Sequence, residues 1–280
     1  MRILLTGRTG QVGGALERAL APLGELTAFD RKGLDLQAVG NAVSELKPDV
    51  IVNAAAYTTV DRAEQERDLA FAVNAAGAGA LAREAKAAGA LLVHFSTDFV
   101  FDGEKASPYV ETDTPHPLNV YGQSKLEGER AIVASGCRHL IFRTSWVYAP
   151  AGRNFLHAIL AAAKSKPELR VVDDQHGAPT SSLAIAEAVA RILARPDLRN
   201  AGGLYHLTAG GATTWHGFAR AILDAKGIRT PLVPIRSDEF PTAAIRPKNS
   251  RLDNSKLAAA FGVVLPDWRE GLAAVLRAIH

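Results

Sequence analysis

From Arg2 to about residue 145 the chain alternates short apolar runs with longer, alanine-rich amphipathic stretches, and few architectures absorb that pattern. Residues 2–5, 25–29, 49–53, 90–96 and 139–144 read as strands; residues 11–21, 38–46, 68–88 and 122–135 read as the helices between them. Near-continuous apolar strands suit a sheet covered on both faces. A strand, a crossover helix and a second strand leave the two strands parallel. The fold class predicted is therefore α/β, a Rossmann-type doubly wound parallel sheet with a smaller C-terminal α/β substrate-binding region. Beyond residue 145 the alternation loosens. Short strands are predicted at 170–172 and 204–207, and helices at 155–164, 182–194, 214–225 and 268–278. Residues 173–180 and 229–252 read as loops. We expect a cofactor-binding core over residues 1–145 and a mainly substrate-binding region over 146–280, partly interleaved with it.

Composition removes several classes of function. A formal charge of +3, from basic residues scattered along the chain, makes no nucleic-acid surface, although a local pocket for an anion remains compatible. Cys137 is the only cysteine, so neither an intrachain disulfide nor a cysteine metal cluster can form. The first apolar run reaches Gly7 too soon for a signal peptide, and no run approaches the roughly 18 residues of a membrane span. A soluble cytoplasmic protein acting on a small molecule is expected, with neither nucleic acid nor membrane as partner.

Ile3-Leu4-Leu5 runs into Thr6-Gly7-Arg8-Thr9-Gly10-Gln11-Val12-Gly13, and a helical pattern follows at once. Glycines let the chain turn tightly and admit a diphosphate to the backbone, where the helix N–H groups bind it. Gly7, Gly10 and Gly13 are thus candidate cofactor residues. Asp30 ends the next strand, where an acid can accept from ribose hydroxyls and favour NAD; Arg31 and Lys32 follow and suit a 2′-phosphate, favouring NADP. Preference between NADH and NADPH stays open, as does a solvated turn for all three. Asp35 and Leu36 lie beyond, beside the expected adenine. Asn53-Ala54-Ala55-Ala56 ends a strand in small residues, which would let a cofactor lie against backbone.

Tyr121 and Lys125 are four apart at the start of a helix, a spacing that stacks them on one face. A phenol ordinarily titrates near 10, and a neighbouring ammonium is expected to lower it, so that the tyrosine passes a proton to a carbonyl oxygen as hydride reaches the carbon. Thr97, closing the 90–96 strand, would hydrogen-bond the same oxygen or else cap the next segment. Arg246, Lys248 and Arg251 form a basic cluster in a Pro-containing loop, suited to a diphosphate or to solvent.

These residues resemble the extended short-chain dehydrogenase/reductase superfamily, and its reductases of nucleotide-linked keto-sugars in particular. The segments that carry the likeness are the glycine turn, residues 49–56, Ser96-Thr97-Asp98 and residues 117–125, then 142–148, 174–180, 203–207 and 249–252. The resemblance implies that Gly10, Gln11 and Val12 hold the pyrophosphate, and that Asp30, Asp35 and Leu36 lie near the adenosine. It places Ala56, Tyr57, Thr58 and Phe95 along the cofactor groove. Tyr121 would be the proton donor, with Lys125 as its partner and as a ligand of the nicotinamide ribose. Thr97 and Asp98 would contact the sugar, and Trp146 would stack on or enclose it unless it packs in the core. The implied reaction reduces the C4 ketone of dTDP-4-dehydro-L-rhamnose with NADPH or NADH, giving dTDP-L-rhamnose. Some relatives hold Mg²⁺ between subunits through carboxylates; the matching positions here are Ala15 and Leu183, which offer no oxygen ligand. No metal site is expected, and the chain should be a monomer or weak homodimer. The competing readings are a non-catalytic regulatory subunit, against which an intact Thr97, Tyr121 and Lys125 argue, and a reductase or epimerase of another nucleotide sugar. A dehydratase of the superfamily would carry Asp-Glu after the threonine, whereas Asp98-Phe99 stands here.

Overall fold

A computed structural model describes residues 1–30, 39–198 and 202–279. The first half lays down β1 (Arg2–Thr6), α1 (Gln11–Leu20), β2 (Glu25–Phe29), α2 (Gly40–Leu46), β3 (Val50–Asn53), α3 (Val60–Ala63), α4 (Arg67–Phe71), α5 (Ala78–Ala88), β4 (Leu91–Thr97), α6 (Val120–Ser135) and β5 (His139–Thr144). The second adds β6 (Val147–Tyr148), α7 (Phe155–Ser165), β7 (Leu169–Val172), β8 (His176–Gly177), β9 (Thr180–Ser181), α8 (Ser182–Leu193), β10 (Gly203–His206), β11 (Thr213–Thr214), α9 (Trp215–Ala225), β12 (Leu232–Ile235), α10 (Ser255–Phe261) and α11 (Trp268–Ala278).

Six parallel strands form one sheet in the order β10-β5-β4-β3-β1-β2. Side chains alternate across a strand. Ile3 and Leu5 accordingly pack with Val50, Val52, Val93 and Phe142 against α1 and α8, while Leu4 packs with Ile51, Leu92 and Ile141 against α2, α5 and α6. Each such fully buried aliphatic chain contributes roughly 1.5–3 kcal/mol, and a sheet covered on both faces is what the apolar runs require. A third core gathers Tyr148, Leu156, Phe218, Trp268 and Leu272 in the C-terminal half. That half is tied back twice: β10 supplies an edge strand to the main sheet and α8 packs beside α1.

Several elements differ from the sequence expectation. The helix expected at 68–88 divides into α4, a π-helical segment Ala72–Gly77 and α5. The segment 229–252, expected as loop, contains β12, paired in parallel with β7. Pro234 conceals it: proline breaks a central strand, but a two-stranded pairing has an open side where the missing N–H costs nothing. Residues 173–180, also expected as loop, hold β8 and the start of β9. The short helix α10 was not predicted.

Candidate active site

The turn between β1 and α1 stands where the strand order reverses, between β1 and β3, at the carboxyl edge of the sheet. Gly7 has φ +77°, and a Cβ there would lie 2.5 Å from the Ala55 nitrogen. A Cβ on Gly13 would lie 2.0 Å from the Gly7 carbonyl oxygen. Neither position accepts a side chain, so the backbone of the turn is pressed against both the end of β3 and the first turn of α1. Gly10 is the N-cap of α1 and brings no capping side chain, and no acid occupies the first turn. The helix thus opens with N–H groups suited to an anion. Gln11 and Val12 follow: Gln11 Oε1 accepts from Asn154 Nδ2 (3.1 Å), and Val12 packs on the core. Asp30 directly follows β2, whose Phe29 carbonyl accepts the Arg8 N–H (3.1 Å). Arg31, Lys32, Asp35 and Leu36 lie outside the described residues.

Ala56, Tyr57 and the exposed Thr58 follow β3 at the same sheet edge. Asn74, in the π-helical segment and 1% exposed, clamps the Tyr57 backbone by accepting its N–H (2.8 Å) and donating to its carbonyl (3.0 Å). The same side chain donates to Ser124 Oγ (2.9 Å), linking this segment to α6. π-helical segments often mark functional sites.

Local packing places the tyrosine. Asn119 caps α6 by accepting the Gly122 N–H (2.8 Å), and a Cβ on Gly122 would lie 2.2 Å from the Phe99 carbonyl oxygen. The helix start is therefore pressed on the turn after β4, and Tyr121 meets Phe99 edge-on with ring centroids 5.7 Å apart. The Tyr121 hydroxyl lies beside that of Thr97, which donates to Asp98 Oδ1 (3.0 Å) and accepts the Phe99 N–H (3.2 Å). Thr97 thus caps its turn beside the phenol. The Asp98 carboxyl is 2% exposed; burial raises it to about 6, against the hydroxyls of Ser250 and Thr97, which lower it.

One expectation fails here. Burial pushes the Tyr121 phenol up to about 12, the Thr97 hydroxyl opposing and the Asp98 charge adding to the rise. Lys125 directs its nitrogen elsewhere, donating to the Phe95 carbonyl (2.6 Å) and lying 3.2 Å from His94 Nε2. The Phe95 ring packs with Phe142 in the core. Burial lowers the lysine to about 8, with Glu129 opposing.

On the C-terminal side Trp146 has φ +47°, a strained position for a bulky residue. Its indole stacks on Trp215 (3.6 Å, 6°) and lies so near Gly177 that a Cβ there would be 2.5 Å from the ring. Arg246 is engaged bidentately by Asp61 (3.0 and 2.8 Å), and Arg251 donates to Asn249 Oδ1 (2.8 Å) and the Ala106 carbonyl. Lys248 is exposed. Ala15 and Leu183 face a groove between α1 and α8 with Arg18 and Glu187. Sequence reasoning missed Asn53, Asn74 and His94, each joined to the site by bonds distant in sequence.

A glycine turn at a helix start, with a half-buried tyrosine and a buried lysine at the same sheet edge, is the arrangement of the extended short-chain dehydrogenases/reductases. Within that class the chain belongs to the family described as RmlD substrate binding domain, whose model matches residues 1–280. It is 45% identical over 293 aligned residues to a dTDP-4-dehydrorhamnose reductase of Escherichia coli K12, spanning 99% of this chain and 97% of that one. Two solved structures superpose closely. A dTDP-4-dehydrorhamnose reductase of Bacillus anthracis in complex with NADP gives a TM-score of 0.94 at 35% identity, with 99% of each chain covered. An orthologue from Clostridium acetobutylicum gives 0.95 at 38%, covering 100% of this chain and 99% of that one. Among the described residues no helix is long and apolar enough to cross a membrane.

Proposed function

We propose that this chain reduces the C4 ketone of dTDP-4-dehydro-L-rhamnose to dTDP-L-rhamnose, with hydride from NADPH or NADH and with Tyr121 as proton donor. The observation that carries the reading is that Tyr121, Thr97 and Asp98 meet at the end of β4, with Lys125 one helical turn on, at the same carboxyl edge of the sheet as the glycine turn. The reductase names of close relatives and the NADP held by the Bacillus anthracis protein support it. The cradle also fits a dinucleotide. Gly7 and Gly13 admit no Cβ, and the N-terminus of α1 has no side-chain cap.

The bound nicotinamide supplies the hydride that reaches the ketone carbon. Tyr121 stays protonated at neutral pH because burial holds its phenol up to about 12, and it gives its proton to the ketone oxygen as that oxygen gains charge. The Thr97 hydroxyl orients the same oxygen. Lys125 carries the proton that reloads the phenolate. Asp98 accepts from sugar hydroxyls, and Trp146, backed by Trp215, borders the sugar. Arg246 and Arg251 approach the diphosphate in poses set by Asp61 and Asn249, and the exposed Lys248 adds charge. The test is nicotinamide oxidation with dTDP-4-dehydro-L-rhamnose and identification of the product by NMR. Formation of dTDP-L-rhamnose is expected; no oxidation while cofactor still binds would overturn the substrate assignment.

A further inference from the structure

A buried polar chain runs beneath the catalytic pair, from the end of β1 to Lys125. Thr6, Asn53, His94 and Lys125 are each 2% exposed or less. Its hydrogen bonds can be read in one direction only. The Ala55 backbone N–H, which can only donate, lies 3.2 Å from one terminal atom of the Asn53 side chain, and Thr6 Oγ1 lies 2.8 Å from the same atom. That atom is therefore the carbonyl oxygen. The amide nitrogen of Asn53 then faces His94 Nδ1 at 3.0 Å and must donate to it. A neutral imidazole carries one proton, and with Nδ1 accepting, that proton sits on Nε2. Nε2 faces Lys125 Nζ at 3.2 Å.

An ammonium has three N–H groups and no lone pair, so it meets the His94 Nε2–H donor against donor. A neutral amine accepts that proton and still donates to the Phe95 carbonyl at 2.6 Å. We propose that His94, its tautomer set by Asn53, is a positioning residue that favours the amine form of Lys125 and so makes the Lys125 ammonium a ready proton source for Tyr121. The inference rests on the reading of Tyr121 and Lys125 as the catalytic pair. In the step concerned, the phenolate left when Tyr121 gives its proton to the ketone oxygen regains one whose source is Lys125 –NH₃⁺, relayed through a water because the two side chains make no direct bond. One O–H bond forms, one N–H bond breaks, and the –NH₂ lone pair accepts the His94 Nε2–H. The amine regains a proton from water between turnovers.

The surroundings agree. His94 stays neutral, because burial and then the Lys125 charge push its pKa well below the usual histidine value. Around Lys125, Glu129 lies one turn along α6 and favours the ammonium, but its carboxylate is held by Arg143 of β5 (2.6 Å). Asp98 at the end of β4 acts on Tyr121, and the neighbours from the π-helical segment and α6, Asn74 and Ser124, are neutral.

Two experiments decide it. Nitrogen-15 NMR of the histidine-labelled wild-type protein, with His94 assigned by its absence from His94→Gln, reads the tautomer directly and needs no activity. A proton on Nε2 is expected; a proton on Nδ1 overturns the proposal. Asn53→Asp places an acceptor-only carboxylate against Nδ1, draws the proton there and turns the Nε2 lone pair toward the ammonium. The high-pH limb of kcat should move upward by about one pH unit, a tenfold change in the Lys125 proton equilibrium, while KM for the cofactor stays within about twofold. A limb that does not move in a folded Asn53→Asp overturns the proposal, and if that variant fails to fold the wild-type spectrum alone decides. Full turnover by Tyr121→Phe would instead sink the catalytic reading and leave the tautomer standing.

Discussion

The proposed cofactor side of the site and the proposed sugar side are built by different means. On the proposed cofactor side, regular strands and helices end together at the sheet edge, and what the turn offers a ligand is backbone: Gly7, Gly10, Gly13 and the first turn of α1. On the proposed sugar side stand two-residue strands, a strained Trp146 and arginines tied to distant partners. The Arg246–Asp61 bonds join residues 185 apart, and Asn249 bonds Lys105 across 144. A site made of backbone tolerates almost no added atom. A site made of side chains can lose one member and keep its shape.

That contrast can be broken from either end. Gly13→Ala should have the largest effect, because its Cβ would lie 2.0 Å from a backbone oxygen that cannot yield. A loss of about 4 kcal/mol in urea melts and no measurable NADPH binding are expected; wild-type affinity would show that the cradle is looser than drawn. Asp98→Asn should stabilise the protein with a pH signature. The native carboxyl titrates near 6 rather than 3.8, so the wild type loses stability as pH rises through that window. The amide variant should gain up to about 3 kcal/mol at pH 8, fading near pH 4, while KM for the sugar nucleotide rises. An equal gain at both pH values would count against the buried carboxylate. Trp215→Ala removes the ring behind Trp146 and should raise the sugar-nucleotide KM about tenfold, with the cofactor KM within about twofold. Parallel rises in both would erase the division between the two sides. The smallest effect is expected from metal removal: Ala15 and Leu183 give no ligand, so EDTA should shift Tm by less than about 1 °C and leave sedimentation unchanged.

Legibility followed the same division. The parallel sheet, the glycine turn and the Tyr121–Lys125 spacing are local patterns, and the structure has the strands and the helix where those patterns put them. Pro234 hid β12, because sequence cannot say that the strand lies in a two-stranded pair. The state of Tyr121 was misjudged for a similar reason: spacing puts Lys125 on the right face, but the depth of burial and the Phe95 carbonyl decide where its nitrogen goes. Asn53 and His94 sit in apolar strands 41 residues apart, and nothing local reveals that they touch.

The central claim is that the Tyr121 hydroxyl delivers the proton that accompanies hydride. Single-turnover reduction of dTDP-4-dehydro-L-rhamnose by wild type and Tyr121→Phe, each saturated with NADPH, tests it most directly. The account predicts unchanged NADPH affinity and a rate lower by about 10²–10⁴ in the variant. A Tyr121→Phe rate within a few-fold of wild type would contradict it.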